Sequence, residues 1–314
     1  MIHAAVSGRN TGDVFFDQFE YHFDENPFLT LTRGETLLEK CKEVAPNEYA
    51  KLHKGTPFYW LARAAFQVHD YETAAFYIDA AVSDDLRAAD ERGDDRSTVS
   101  TPAILFFLID ESVPEQASID LVKILRSRFE STIARYNQRT GVNLRPLTFS
   151  DIQNTFLRPA TTKGSEHLRT LVTAFISFIL EWEQRSRLLE LRTEPGTAEP
   201  FFLHLFKGCV LFESLLRAKD SKSRNKLDDV LSALHSDLGF TTPPKIGPSD
   251  FQTIVNALTT DDDSIFSAIK QTGRIRNATG HNLGWAVSLN GHQYTHLAKA
   301  VASSCLHALA CLYR

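Results

Sequence analysis

The chain has 314 residues, 43% of them hydrophobic and 23% charged, with a formal net charge of −5. That length allows two domains, and that composition allows a sizeable core and excludes wholesale disorder. An acidic balance also excludes nucleic-acid binding by global basicity. The charge is uneven, however. After Asp263 no Asp or Glu occurs up to Arg314, while Lys270, Arg274, Arg276, Lys299 and Arg314 fall in that stretch with His281, His292, His296 and His307. The C-terminal segment is locally basic, and local potential is what a bound polyanion feels.

The four cysteines, Cys41, Cys209, Cys305 and Cys311, form no C-x-x-C pair, and their spacing suits neither a zinc site nor a disulfide framework. A reducing compartment is therefore expected. The opening MIHAAVSGRN lacks a basic start followed by an apolar run, so it does not read as a signal peptide. No stretch approaches the roughly 18 uncharged apolar residues of a membrane span. A cytoplasmic protein is expected, with no membrane partner.

In chain order, the aromatic and acidic stretch at residues 15–28 carries no motif, and burial of its Phe residues is the ordinary expectation. Residues 55–86 resemble a tetratricopeptide-type helix pair. Leu61 and Ala62 take packing positions in the first helix, and Asp70-Tyr71 starts a second one carrying Ala74, Ile78 and Ala81. Such arrays need several units to be stable, so an ordinary helical hairpin is the competing reading. Residues 83–100, polar and acidic, read as a helix end and a solvated loop. The clearest helix covers 116–137, where Ser118, Val122, Leu125, Phe129, Ile133 and Tyr136 recur at helical spacing and Gly141 follows as a stop.

Residues 165–192 repeat the pattern with Leu168, Leu171, Val172, Phe175, Ile179 and Trp182, with Ser165 as a candidate cap. Residues 201–218 are apolar nearly all round and predict a helix in the middle of a bundle. A short helix at 264–272 and a last amphipathic helix at 293–313 complete the set. Loops are expected at 158–164, 193–200 and 239–250, where Pro and Gly cluster. No alternating strand pattern is present. The expected fold is all-α, with an N-terminal helical domain at 1–150 and a C-terminal helical bundle at 160–314, the boundary lying near 145–164.

Chemistry is sparse. His292 and His296 are four apart but have no nearby carboxylate in sequence, and the histidines match no metal motif. G-x-x-x-x-G-K-[ST], G-x-G-x-x-G and G-x-S-x-G are all missing, which leaves P-loop and serine-hydrolase chemistry unsupported. What remains is GRIRNATGHNLGW at 273–285. Its Arg276, Asn277 and His281 match the signature of the HEPN superfamily of helical domains, an Arg, four to six residues and then a His, with a polar residue directly after the Arg, and the segment resembles that family's active-site motif. Arg274 also satisfies the spacing, and the Asn directly after Arg276 selects Arg276. Arg63 and His69 satisfy the spacing too, with Ala64 in the polar position, and are taken as chance.

The resemblance implies a metal-independent endoribonuclease with no cofactor. In it Arg276 and His281 are catalytic, Asn277 supports them, and Lys270 and Arg274 contact RNA phosphate. Its products would carry 2′,3′-cyclic phosphate and 5′-hydroxyl ends. The chemistry is consistent with the residue types. The substrate's 2′-hydroxyl is the nucleophile, His281 titrates near neutral pH, and the planar fork of Arg276 suits two phosphoryl oxygens. Positions 276 and 281 lie about 140° apart on a regular helix, so a bend or a helix start at Gly280 or Gly284 is expected.

The family commonly completes its site across a twofold axis, which implies a homodimer. It also implies a role in prokaryotic defence or a toxin–antitoxin system, with a protein partner or regulator on the N-terminal domain. The alternative is a non-catalytic interaction protein with a silent dimerising bundle.

Overall fold

The structure is a computed structural model that describes residues 25–140, 144–191, 197–222, 224–247, 250–257, 263–281 and 288–314; the side chains of 256, 257, 280 and 281 lie outside that description. Among the described residues there are thirteen α-helices and no strand, as the spacing of apolar residues predicts. No helix among them is long and apolar enough to cross a membrane.

Contacts divide the chain into two units. One comprises residues up to 124 with 157–173, and the other comprises 125–156 with 174–314. The chain passes between them at three points, two inside the long helices at 116–140 and 166–191 and one at 156/157.

The first unit is built on helices α1 (Pro27–Val44), α2 (Pro46–Lys51), α3 (Gly55–Gln67), α4 (Tyr71–Arg92) and α5 (Pro102–Phe107). The hairpin expected at 55–86 is α3 and α4, which pack along each other. Leu61, Ala62, Ala74, Ile78 and Ala81 are all buried in it, and the small side chains let the two helices approach closely. Asp70 caps α4 by accepting from the Thr73 amide at 3.1 Å.

The helix end expected within 83–100 falls at Arg92, and the solvation expected at the start of that stretch is corrected. α4 runs on to Arg92 and stops at Gly93, whose φ of 77° is the left-handed conformation glycine adopts freely. Asp84 and Asp85 are buried, not solvated. Asp84 accepts from the Lys54 amide and from Arg87, and Asp85 bonds His53 Nε2 at 2.6 Å and the Thr101 hydroxyl. Phe28, expected to be buried, is exposed; residues 15–24 lie outside the described residues.

The second unit contains most of α6 (Gln116–Thr140) and α8 (Glu166–Leu191). It also holds α7 (Phe149–Ile152), α9 (Glu199–Arg217), α10 (Leu227–Leu234), α11 (Phe251–Ala257), α12 (Ile265–His281) and α13 (Gly291–Leu312). The stripe from Val122 to Tyr136 is buried as its spacing predicts. Each Phe or Leu so buried contributes about 1.5–3 kcal/mol.

Helices α9, α12 and α13 pack on one another. α9 and α13 run in the same direction. Phe201 meets Tyr294 near one end, Gly208 meets Val301 midway, and the Tyr313 hydroxyl donates to Leu215 O near the other. Gly208 is required by this approach, because a Cβ there would lie 2.4 Å from the Phe178 ring and 2.6 Å from Val301.

Two expectations are corrected in this unit. α9 is not buried all round as a helix in the middle of a bundle would be, since Leu203 and Val210 are exposed. The short helix predicted at 264–272 continues without a break to His281. Its buried residues Ile265, Ala268, Ile269, Thr272, Ile275 and Thr279 keep one face of α12 against the bundle through the motif.

Candidate active site

The motif occupies the last turns of α12. Thr279 Oγ1 donates to Ile275 O at 2.5 Å, a local bond that keeps this polar residue inside the helix. Because the helix is continuous, there is no bend between positions 276 and 281 of the kind expected at Gly280. Position 281 instead shares the helical register of 270, 274 and 277, and Arg276 lies about 100° around from Asn277. The backbone of His281 closes α12, and its side chain lies outside the described residues, as does Gly284.

Arg276 is turned toward α9. Its Nε donates to Glu213 Oε2 at 2.8 Å, and its Nη1 lies 3.4 Å from Asn277 Oδ1. Glu213 is buried on a helix whose inward positions are mostly apolar. Its other oxygen, Oε1, accepts from Arg217 Nε at 2.8 Å and Nη2 at 2.5 Å, one turn along α9. Arg217 is itself fixed by the carbonyls of Arg224 and Asn225.

A buried carboxylate needs such partners, because an unpaired one would shed its charge. The result is one carboxylate between two guanidinium groups, a local net charge of about +1. Arg276 keeps 34% of its side chain exposed while Glu213 keeps 9%. Nε is committed to Glu213.

The other predicted contacts are near the motif without converging on Arg276. Lys270 lies over the Phe266 ring at 5.8 Å, and Arg274 Nε approaches Ile246 O at 3.4 Å. Both are half-buried. The structure therefore brings Arg276 and Asn277 together and sets Lys270 and Arg274 on a neighbouring stripe of the same helix. Sequence reasoning missed Glu213 and Arg217. A signal was present: a Glu followed four residues later by an Arg in a largely apolar helix.

The rest of the basic C-terminal stretch is partly consumed by the fold. Arg314 pairs with Asp151 at 2.9 Å. His307 is buried between Leu238 O at 2.9 Å and the Tyr136 hydroxyl at 3.1 Å, and burial pushes its pKa down to about 4. Among the described residues no group of three His, Cys, Asp or Glu could hold a metal ion. Cys41, Cys209 and Cys305 are buried as small apolar side chains.

The first unit holds a separate cleft of about 290 Å³, lined by His53, Tyr59, Trp60, Asp85, Thr101 and Glu115 among others. Its polar edge is the His53–Asp85 pair, and the hydrogen bond that Asp85 accepts raises the His53 pKa. Compared with protein-family models, with curated proteins and with solved structures, the chain matches none of them.

Proposed function

We propose that this chain is a metal-independent endoribonuclease of HEPN type, with Arg276 and His281 as its catalytic residues. One observation supports this reading most. Arg276 is held at the surface by a buried glutamate that a second arginine already fixes, on a helix that ends at His281. A guanidinium positioned through Nε presents its Nη edge to an anion at little further ordering cost.

In the reaction, the 2′-oxygen of the substrate attacks the adjacent phosphorus and the bond from phosphorus to the 5′-oxygen breaks. A proton leaves the 2′-hydroxyl and another reaches the departing 5′-oxygen, giving a 2′,3′-cyclic phosphate and a 5′-hydroxyl. Imidazole suits both transfers near neutral pH. Arg276 stabilises the charge that grows on the phosphoryl oxygens. On a continuous helix, positions 276 and 281 of one copy diverge by about 140°. A composite site across a homodimer, where a second copy supplies the complementary Arg276 and His281, meets that constraint.

The same ion pair also favours a second reading: a silent, dimerising bundle in which Arg276 serves Glu213 alone. RNA cleavage in EDTA by the wild type, Arg276→Ala and His281→Ala separates the two. The enzyme reading expects cleavage by the wild type and a loss of about 10²–10⁴-fold in His281→Ala. If both variants cut as fast as the wild type, the assignment fails.

A further inference from the structure

Away from the motif, five cationic or titratable side chains meet on two helices of the second unit. Arg135 and Arg139 stand one turn apart on α6, and His292, His296 and Lys299 lie along one face of α13. The two helices are joined by the hydrogen bond between Tyr136 and His307. His296 feels the charges of Arg139, His292 and Lys299, and Lys299 feels those of Arg135 and Arg139. For Arg139, His296 and Lys299 burial is the largest cause of a lowered pKa, and for His296 and Lys299 the neighbouring cations add to it.

Asp263, 2.8 Å from Arg139 Nη2, is the carboxylate whose charge acts on Arg139, His296 and Lys299. The burial is lopsided: the Arg139 side chain is 7% exposed and that of Asp263 is 75% exposed. Arg135 lies over the Trp182 ring at 5.7 Å. Among the described residues, two arginines, a lysine and two histidines around the solvent-facing Asp263 carboxylate are an arrangement that an external anion would stabilise.

The cluster is remote from Arg276. Asp263 sits just before the start of α12 and Arg276 near its end, a separation of about 20 Å along a helix of this length. We propose that Arg135, Arg139, His292, His296 and Lys299 form a second binding surface for the phosphodiester backbone of single-stranded RNA, a proposal that rests on the endoribonuclease reading. In it a phosphate replaces the Asp263 carboxylate as the partner of Arg139. The surface holds the strand electrostatically and without base readout, while Arg276 acts on a phosphate further along.

The test is a binding titration of the full chain with a labelled, twelve-residue, single-stranded 2′-O-methyl oligoribonucleotide, which lacks the 2′-hydroxyl and cannot be cut. Arg135→Gln with Lys299→Gln is expected to weaken binding at least tenfold. It should also lower the slope of log affinity against log salt by about 1.4, at about 0.7 per phosphate contact on a single strand. Asp263→Asn is expected to bind the same probe several-fold more tightly, a gain that misfolding cannot produce. Binding within twofold of wild type in the double variant, or no gain in Asp263→Asn, overturns the proposal. The two readings fail separately: cluster-dependent binding without cleavage of natural RNA sinks the nuclease, whereas cleavage with cluster-independent binding sinks this surface.

Discussion

Arg63 and Arg276 each lie a few residues before a histidine and each pair with a glutamate, but the burial of the two pairs is reversed. In the first unit the arginine is buried, with 3% of its side chain exposed, and Glu115 is 37% exposed. In the second unit Arg276 is 34% exposed and Glu213 is 9% exposed. Arg63 also stacks on Trp60, 4.4 Å from the ring centroid, and its His69 is bonded to the Tyr71 hydroxyl at 2.9 Å. A buried arginine with an outward carboxylate is a packing element that carries a charge. A buried carboxylate with an outward arginine is a mount for a cation. Under the endoribonuclease proposal the same spacing serves two purposes, and the inner partner decides which.

The largest difference should appear in catalysis. Arg276→Ala is expected to lower RNA cleavage by about 10²–10³-fold, the usual loss when one donor to a developing oxyanion is removed. Arg63→Ala should leave the rate per folded molecule within about twofold. Single-turnover assays corrected for folded fraction measure both, and comparable losses would erase the distinction.

The two units should also respond oppositely to acid. In the second unit His307 has a folded pKa of about 4, below the unfolded value of about 6.5. Between those values the unfolded chain takes up a proton that the folded chain does not, so stability falls as pH drops. The loss reaches about 3 kcal/mol by pH 4. Buried His204, bonded to Phe178 O and the Tyr294 hydroxyl, has a lowered pKa and adds in the same direction.

His53 in the first unit has a raised pKa because of Asp85. Its contribution is full below about pH 6.5 and is lost as pH rises through its higher folded value. The unfolding free energy from urea titrations should fall as pH drops across this range, and His307→Gln should flatten that pH dependence. An unchanged slope in that variant would contradict the role given to His307.

Smaller effects sharpen the contrast between the arginines. Arg63→Met should cost about 2 kcal/mol, because it removes a buried ion pair and strands the glutamate only partly. Arg276→Met should cost under about 1 kcal/mol, because Arg217 still answers Glu213. Thermal unfolding reads both, and the reverse order would overturn the assignment of roles. Least of all, Glu213→Gln should lower kcat about tenfold with KM nearly unchanged, as expected when a positioning contact is weakened. Glu115→Gln should leave kcat as it is.

The helices were legible because apolar spacing is a local property. Val122, Phe129 and Tyr136 announce α6 without help from any other part of the chain. Asp84 and Asp85 were not legible, since acids in a polar run look solvated until Lys54, His53 and Thr101 arrive from other elements. The same holds at the motif. Arg276, Asn277 and His281 could be read as a pattern, but Glu213 lies on another helix, and only folding brings it to Arg276. The run past residue 272 was missed because Gly273 and Gly280 suggest breaks, while the buried face through Ile275 and Thr279 keeps the helix intact. The basic C-terminal stretch was read as one feature, whereas folding distributes it among a core histidine, an ion pair with Asp151, the motif and the α6–α13 cluster.

The most direct test of the central claim is cleavage, in EDTA, of an RNA in which one nucleotide at a mapped cut site carries 2′-deoxyribose. The account predicts that cleavage stops at that site alone, and that the remaining products carry 2′,3′-cyclic phosphate and 5′-hydroxyl ends. It also predicts that Arg276→Ala and His281→Ala release neither. Cutting at the deoxy position, or cutting that requires a divalent cation, would contradict it.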